Sequence, residues 1–332
     1  MAQDKSTKRT LRWGILSTAR IKRAVIPPIK ASPRHELKAI ASRTLESAQA
    51  EAREWGIPQS YGSYEALLAD PEIDIIYNPL PNSMHAEWTI KACQAGKHVL
   101  CEKPLAVTLA EVDAMEEAAR QAGVVVAEAF MYRHHQQTLR VKQLVDEGAI
   151  GRLRLIRGAF SFNISNPSDV RLSSDLGGGS VWDIGCYPIS YSRFVIGSEP
   201  LEVVGWHQVG AGGVDETFVG QMRFPGEVFM QFDSSFRLPD RSFMEIVGTE
   251  GVLYVSAPFK PGVNETLLLD KDGKVQKIPV KGQELYLGEV EDMADAIFEG
   301  KKPRVSIEDS RNNVTAILAL LSSAQQNKPV SL

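Results

Sequence analysis

Cysteine is scarce in this chain, and no charge sign dominates. Three cysteines occur in 332 residues, Cys93, Cys101 and Cys186. Their spacing gives neither a disulfide framework nor a zinc-ligand pattern, so they read as reduced core thiols. The formal net charge is -4, too small to select for or against any partner. A dense Lys/Arg run is missing, which argues against nucleic acid or a membrane surface. No stretch is apolar over the roughly 20 residues that a bilayer-spanning helix needs. Met1 to Thr10 is polar, without the apolar core of a signal peptide or a long twin-arginine leader. The expectation is a cytoplasmic protein that acts on a small molecule.

What is present is ordinary globular chain. Hydrophobic residues make up 43% and charged residues 23%, and the length suits about two domains. The first part alternates strand and helix signals. Strands are expected at Arg12–Leu16, Leu37–Ser42, Ile73–Tyr77, Val99–Cys101 and Val124–Ala127. Helices follow from about Ile21, after Thr44, after Asn82 as a cap, and after the Thr108/Glu111 capping box. This order predicts a doubly wound parallel sheet. After Gly151 the pattern changes. Leu153–Phe162, Glu202–Gln208, Phe218–Phe224, Val228–Phe236 and Phe243–Val247 read as strands. One long helix is expected at Ser180–Val195, and two more near Gly288–Phe298 and Glu308–Gln325. Such a run predicts an α+β domain with a mostly antiparallel sheet.

Three stretches carry chemistry. Glu102-Lys103-Pro104 follows a short strand, where open α/β sheets bind ligands; the alternative is a solvated turn. Gly14 to Ile21 joins a strand to a helix through small residues, as a pyrophosphate-binding turn requires. Ser17, Ala19 and Lys22 stand where the dinucleotide fingerprint has glycine, so an ordinary strand–helix turn stays open. Ser42-Arg43 ends the second strand, where NAD-specific folds place a carboxylate. A hydroxyl and a guanidinium there suit a 2′-phosphate; a surface Arg is the alternative. The third stretch is Gly177-Gly178-Gly179 followed by Trp182, Asp183 and Tyr187. Asp183 and Tyr187 share one helical face, and a nearby Lys would lower the phenol's pKa. A buried Tyr bonded to Asp is the plain reading. Tyr132 and Arg133 follow the fifth strand and are candidates to line the crevice; a surface or packing role is the alternative. Adjacent His134 and His135 lack ligand partners at metal spacing, so no metal site is expected.

In this order the segments resemble the Gfo/Idh/MocA family, the glucose-fructose oxidoreductase and inositol dehydrogenase group. The likeness runs from Arg12 nearly to the C-terminus. It includes the Gly14–Ile21 turn, Pro79-Leu80-Pro81-Asn82 with His85, Glu102-Lys103-Pro104, Glu128 to Arg133, and Asp183 to Tyr187. The resemblance implies a Rossmann domain over residues 1–130. It also implies an open-faced-sheet domain over 131–332 for substrate binding and homo-oligomerisation. It implies hydride transfer with NADP, NAD being the weaker alternative. Cofactor contacts are expected from Ser17, Thr18, Ala19, Arg20, Ile21, Ser42, Arg43, Pro79, Leu80, Asn82, His85, Glu102 and Lys103. Lys103, Asp183 and Tyr187 match the catalytic residues, with Arg133 and Trp182 beside the substrate. Tyr187 resembles the sugar and trans-dihydrodiol dehydrogenase branch. Gln136 departs from the Pro of many members. Aldose oxidation at C1 is expected; a dihydrodiol dehydrogenase, a dicarbonyl-sugar reductase and a non-catalytic NADP sensor remain alternatives.

Overall fold

The computed structural model of the protein describes residues 9–332. Most of the polar segment Met1 to Thr10 therefore lies outside the described residues. The first half runs β1 (Leu11–Leu16), α1 (Lys22–Ala31), β2 (His35–Ala41), α2 (Leu45–Trp55), β3 (Gln59–Tyr61), α3 (Tyr64–Leu68) and β4 (Ile75–Asn78). It continues with α4 (His85–Gln94), β5 (His98–Glu102), α5 (Leu109–Ala122) and β6 (Val126–Ala129). The strands form a parallel sheet in the order β3-β2-β1-β4-β5-β6. This is the doubly wound Rossmann order, whose connection reverses beside β1 and opens a crevice there.

Local chemistry sets these elements. β4 is buried at every position, as a strand covered on both faces must be. Thr44 Oγ1 caps α2, and Gly56 ends it in the left-handed region at φ 59°. Thr108 and Glu111 form the expected capping box of α5. Asn82 is a correction: it opens a short 3₁₀ turn with no side-chain cap, and the helix begins at His85. The sixth strand, β3, went unread because three half-buried residues at a sheet edge carry no apolar alternation.

The second half runs α6 (Gln136–Asp146), β7 (Leu153–Ser161), α7 (Cys186–Ile196), β8 (Glu202–Val209), β9 (Asp215–Phe224), β10 (Val228–Ser235), β11 (Arg241–Gly248) and β12 (Val252–Val255). Then come β13 (Asn264–Lys271), β14 (Lys274–Lys281), α8 (Leu287–Glu299), α9 (Ile307–Gln326) and β15 (Val330–Ser331). Nine strands form one sheet, β14-β13-β12-β11-β7-β10-β9-β8-β15. Only the β7–β10 pair is parallel. Alternation along β9 and β10 turns Phe218, Met222, Met230 and Phe232 into the core. The other face carries Trp206, Val219, Phe229 and Tyr254, all at least a third exposed. The β13–β14 hairpin was missed because β14 is exposed almost throughout and its apolar residues, Val275, Ile278, Pro279 and Val280, do not alternate. Its turn was readable: Asp272 and Gly273 both take positive φ, the two-residue hairpin signature.

The two halves share packing. One face of the parallel sheet buries Ile15, Tyr77 and Leu100 against Val25 and Ile29 of α1 and Val290 and Met293 of α8. The core on its other face runs without a break into the second sheet.

The β1–α1 turn yields a test. Ser17 sits at φ 67°, the left-handed conformation that the fingerprint's first glycine adopts at no cost. A β-branched side chain there is strained by about 1–3 kcal/mol. Ser17→Gly should fold as stably as the wild type, and Ser17→Val should be clearly less stable in urea unfolding. Equal unfolding midpoints for the two variants would contradict this reading.

Candidate active site

β5 delivers Lys103 to the crevice, and the Lys103–Pro104 peptide is cis. The Lys103 ammonium donates to Asp183 Oδ1 and to the Asp183 carbonyl, both at 2.8 Å. Asp183 Oδ2 accepts from Arg171 Nε at 2.8 Å, and Asp169 holds Arg171 from behind at 3.2 Å. Two cations and two carboxylates thus alternate. Burial works to lower the Lys103 pKa, but Asp183, with Cys186 and Glu102 near it, outweighs burial and holds it above its ordinary value. Burial likewise works to raise Asp183, and Lys103 and Arg171 overcome it and hold the carboxyl low. Both groups are charged at neutral pH.

The expected helix at Ser180 begins as a π turn, Val181–Gly185, before α7. A π turn loosens the carbonyl ladder, and such turns cluster at functional sites. Here the Asp183 carbonyl accepts the Lys103 ammonium. Asp215 fixes the start of the turn, accepting from Ser180 Oγ at 2.6 Å and Val181 N at 2.8 Å. Burial pushes its carboxyl up to about 6. The three glycines serve close packing. A Cβ on Gly178 would lie 2.4 Å from the Arg171 carbonyl, and Gly179 N donates to that same carbonyl.

Tyr187 lies beside Lys103 but does not bond it. The ammonium stands 5.4 Å from the ring centroid, while the hydroxyl faces Met131 Sδ at 3.8 Å. The ring packs edge-on to Phe130 and Phe160. Burial pushes the phenol well above its ordinary value. The expectation that Lys103 lowers it is corrected, because the ammonium's two bonds go to Asp183.

The nucleotide half is open where expected. Ser17, Thr18, Ala19 and Ile21 are half-buried and Arg20 is exposed. Ser17 Oγ accepts from Ala19 N at 3.1 Å, fixing the turn. Lys22, at the third glycine's place, is buried instead, and its ammonium lies 3.0 Å from both the Thr18 carbonyl and Glu51. At the β2 end Ser42 is buried and Arg43 exposed, with no carboxylate in either position. Pro79 and Leu80 line the β4 end, buried. Glu102 Oε1 accepts from the Tyr77 hydroxyl at 2.5 Å. The turn and strand end fit an NADP-type dinucleotide, on the left-handed Ser17 and the unopposed Arg43.

Four expected contacts lie elsewhere. His85 is fully buried, with its ring nitrogens on the Pro104 and Leu80 carbonyls, so it braces loops. Asn82 reaches across to the Gly177 carbonyl at 2.9 Å. Arg133 is 4% exposed. It pairs with Asp309 at 2.9 Å and Ser190 at 3.1 Å, turned from the crevice by those partners. Trp182 is 7% exposed and packed in the core. Arg171 was missed, since an Arg in a polar loop carries no periodic signal. Among the described residues, no helix is long and apolar enough to cross a membrane. None of their His, Cys, Asp and Glu side chains form a metal-holding group of three.

The model of the oxidoreductase family with an NAD-binding Rossmann fold, GFO_IDH_MocA, matches residues 11–130. The GFO/IDH/MocA C-terminal domain matches residues 138–254. A D-xylose 1-dehydrogenase (NADP(+)) of Haloferax volcanii is 38% identical over 324 residues, 96% of this chain and 99% of that protein. A trans-1,2-dihydrobenzene-1,2-diol dehydrogenase of Danio rerio is 36% identical over 74% of this chain and 75% of its own. Among solved structures, an aldose-aldose oxidoreductase from Caulobacter crescentus superposes with a TM-score of 0.91 at 27% identity, covering 98% of this chain and 100% of that one. A 3-ketoreductase from Actinomadura kijaniata, in complex with NADP and TDP-benzene, gives 0.90 at 28% identity over 95% and 98%.

Asp183 offers the sharpest stability test. Asp183→Ala leaves the largely buried Lys103 ammonium without its partner, a loss of about 3–5 kcal/mol, while exposed Arg171 keeps Asp169. Because its folded pKa is depressed, Asp183 stabilises the protein above its unfolded value near ~4, and the gain disappears as pH falls. Asp183→Asn should therefore flatten the acid limb of the stability profile in urea titrations. An unchanged acid limb would refute the role of the ion pair.

Proposed function

The chain belongs to the GFO/IDH/MocA oxidoreductase family, and from that premise we propose that it oxidises the C1 hydroxyl of an aldose, of xylose or glucose type, to the lactone. It is an NADP-dependent oxidoreductase acting on CH–OH groups. The observation that carries the substrate-side reading is the Lys103–Asp183 pair beside Tyr187, at the strand ends that border the nucleotide turn. The full-length likeness to a D-xylose dehydrogenase supports the aldose.

NADP, when bound, supplies the hydride acceptor. Hydride loss from carbon must be matched by proton loss from oxygen. Lys103 donates to the substrate oxygen and stabilises the charge that grows on it, while Asp183 holds the ammonium in place. Tyr187 takes the hydroxyl proton as a phenolate, its own phenol proton having first passed to solvent. A sugar hydroxyl between the two replaces Met131 as the phenol's partner and brings it under the Lys103 charge. The opposite assignment, Lys103 as acceptor, asks an ammonium to lose its proton against the pull of Asp183. A second reading, oxidation of a trans-dihydrodiol, draws on the likeness to the Danio rerio dihydrodiol dehydrogenase and on the cluster of aromatic rings, Phe130, Phe160 and Phe259, packed behind Tyr187. The buried free thiols Cys93, Cys101 and Cys186 suit a cytoplasmic site.

Exposed Trp206, Val219 and Phe229 support pairing of the open sheet face with a second copy. A groove of about 740 Å³ lies on the sheet between Phe243, Tyr254 and Leu268.

A panel of aldoses and diols, read by NADPH absorbance, tests the substrate. Turnover of diols alone moves the reading to the second, and tight NADP binding without turnover overturns both. NADP should be preferred to NAD by about tenfold or more, since a charged hydrogen bond contributes roughly 1.5–3 kcal/mol. Arg43→Ala should remove that preference, and equal kcat/KM for both cofactors in the wild type would defeat it. Tyr187→Phe should keep NADP binding and lose kcat by at least about a hundredfold. A near-normal kcat would eliminate the role given to Tyr187. Light scattering should find a dimer or larger assembly that Phe229→Lys weakens; a stable wild-type monomer at micromolar concentration would contradict the pairing.

A further inference from the structure

One peptide group follows Lys103-Pro104 directly, and it is gripped from both ends. Its carbonyl, Pro104 O, lies 2.8 Å from His85 Nδ1. Its N–H, on Leu105, donates to Glu128 Oε1 at 2.9 Å. Both gripping residues are interior: His85 is 0% and Glu128 2% exposed. The other ring nitrogen of His85 faces the Leu80 carbonyl at 2.7 Å, beside the nucleotide crevice. Glu128 Oε2 has no hydrogen-bond partner. Burial pushes the His85 pKa down to about 4, so the neutral ring donates to one of the two carbonyls, and the Nδ1–H tautomer is the one that grips Pro104 O.

Neither residue touches the crevice. Glu128 pairs in register with Cys101 on β5, and Ala129 with Glu102, so Glu128 points to the face opposite Glu102. Around it stand Ser310 and Asp309 of α9 and Arg193 of α7. Cys186 of α7 and Cys101 also feel its charge. Asp309 is committed to Arg133 and Arg193, so Glu128 is held by the Leu105 amide with the Ser310 hydroxyl beside its carboxyl.

We propose that His85 and Glu128 are positioning residues for Lys103: they fix the plane of the next peptide group, and the proton on Glu128 sets how firmly. This rests on the role given to Lys103 above. A carboxylate accepts an amide proton more strongly than a neutral carboxyl does. Ionised Glu128 pins the loop, and protonated Glu128 slackens it. Burial pushes the carboxyl up to about 7, with Asp309 adding to it and Ser310, Leu105 N–H and Arg193 opposing. The change thus falls within the working range of pH. In stability the sign is opposite to that of Asp183. A raised carboxyl pKa means that stability is lost as pH rises from the unfolded value through the folded one.

The test is Glu128→Gln, which keeps a carbonyl for Leu105 N–H and cannot titrate. In the wild type, kcat should rise through a transition near neutral pH. In Glu128→Gln that transition should vanish, with kcat about threefold to tenfold below the wild-type alkaline plateau. NADP affinity by calorimetry should stay within about twofold. A transition that persists in the variant overturns the proposal. So does a parallel loss of NADP binding and kcat, which signals general damage to the fold. Carbon-13 NMR of the glutamate carboxyls needs no substrate. One resonance should titrate near neutral pH in the wild type and be missing from Glu128→Gln. Its absence from the wild type overturns the proposal even if no sugar is ever turned over, whereas its presence without turnover would sink only the reading of the substrate.

Discussion

The ion pair between Lys103 and Asp183 governs the arrangement of the whole site. Lys103 follows β5 and Asp183 lies in the π turn ahead of α7, 80 positions apart in sequence. Neither charge is tolerable alone at its depth, since desolvation opposes both. Each is held ionised by the other, and Arg171 completes the neutralisation from the substrate side. The Gly177–Gly179 loop, the π turn and the Asp215 cap all serve to bring the Asp183 carboxylate and carbonyl to one ammonium. The crevice between the halves is thus lined by charges that satisfy one another before any ligand arrives.

That self-satisfaction has a chemical side. An ammonium already bonded to a carboxylate keeps its proton, and a phenol buried against aromatic rings and a thioether keeps its own. In the free protein both candidate proton acceptors are therefore disarmed. On the proposed mechanism the phenol must give up its own proton before it can act, and a substrate hydroxyl in place of the Met131 contact, under the Lys103 charge, is what favours that loss. A substrate that cannot reach between the two groups leaves the site inert.

Much of this was legible in the residues. Alternating strands and helices, with the Thr44 cap and the Thr108/Glu111 box, gave the parallel sheet almost strand by strand. Lys103 and Asp183 could be paired because short motifs occurred in a known order, although no periodicity links residues so far apart. What stayed hidden depended on tertiary contacts. Arg171 lies in a loop with no pattern, and its place is set by the Gly178 backbone. Arg133 read as a site residue because it follows a strand end, and His85 because it belongs to a motif of the resemblance. Their side chains turn to Asp309 and to loop carbonyls instead. The exposed strand β14 carried no alternation, although the Asp272-Gly273 turn announced its hairpin.

Helix α8 bears on how this architecture could be taken apart. It lies in the last fifth of the chain, yet it seals the same face of the parallel sheet as α1, with Val290 and Met293 against Tyr77 and Leu100. The nucleotide-binding half is therefore not a detachable module. Cut after β6, it would bare a strip of aliphatic and aromatic side chains that water cannot solvate well. Recombination between relatives would have to carry residues 287–299 along with the first 130, as one inheritance unit split across the gene.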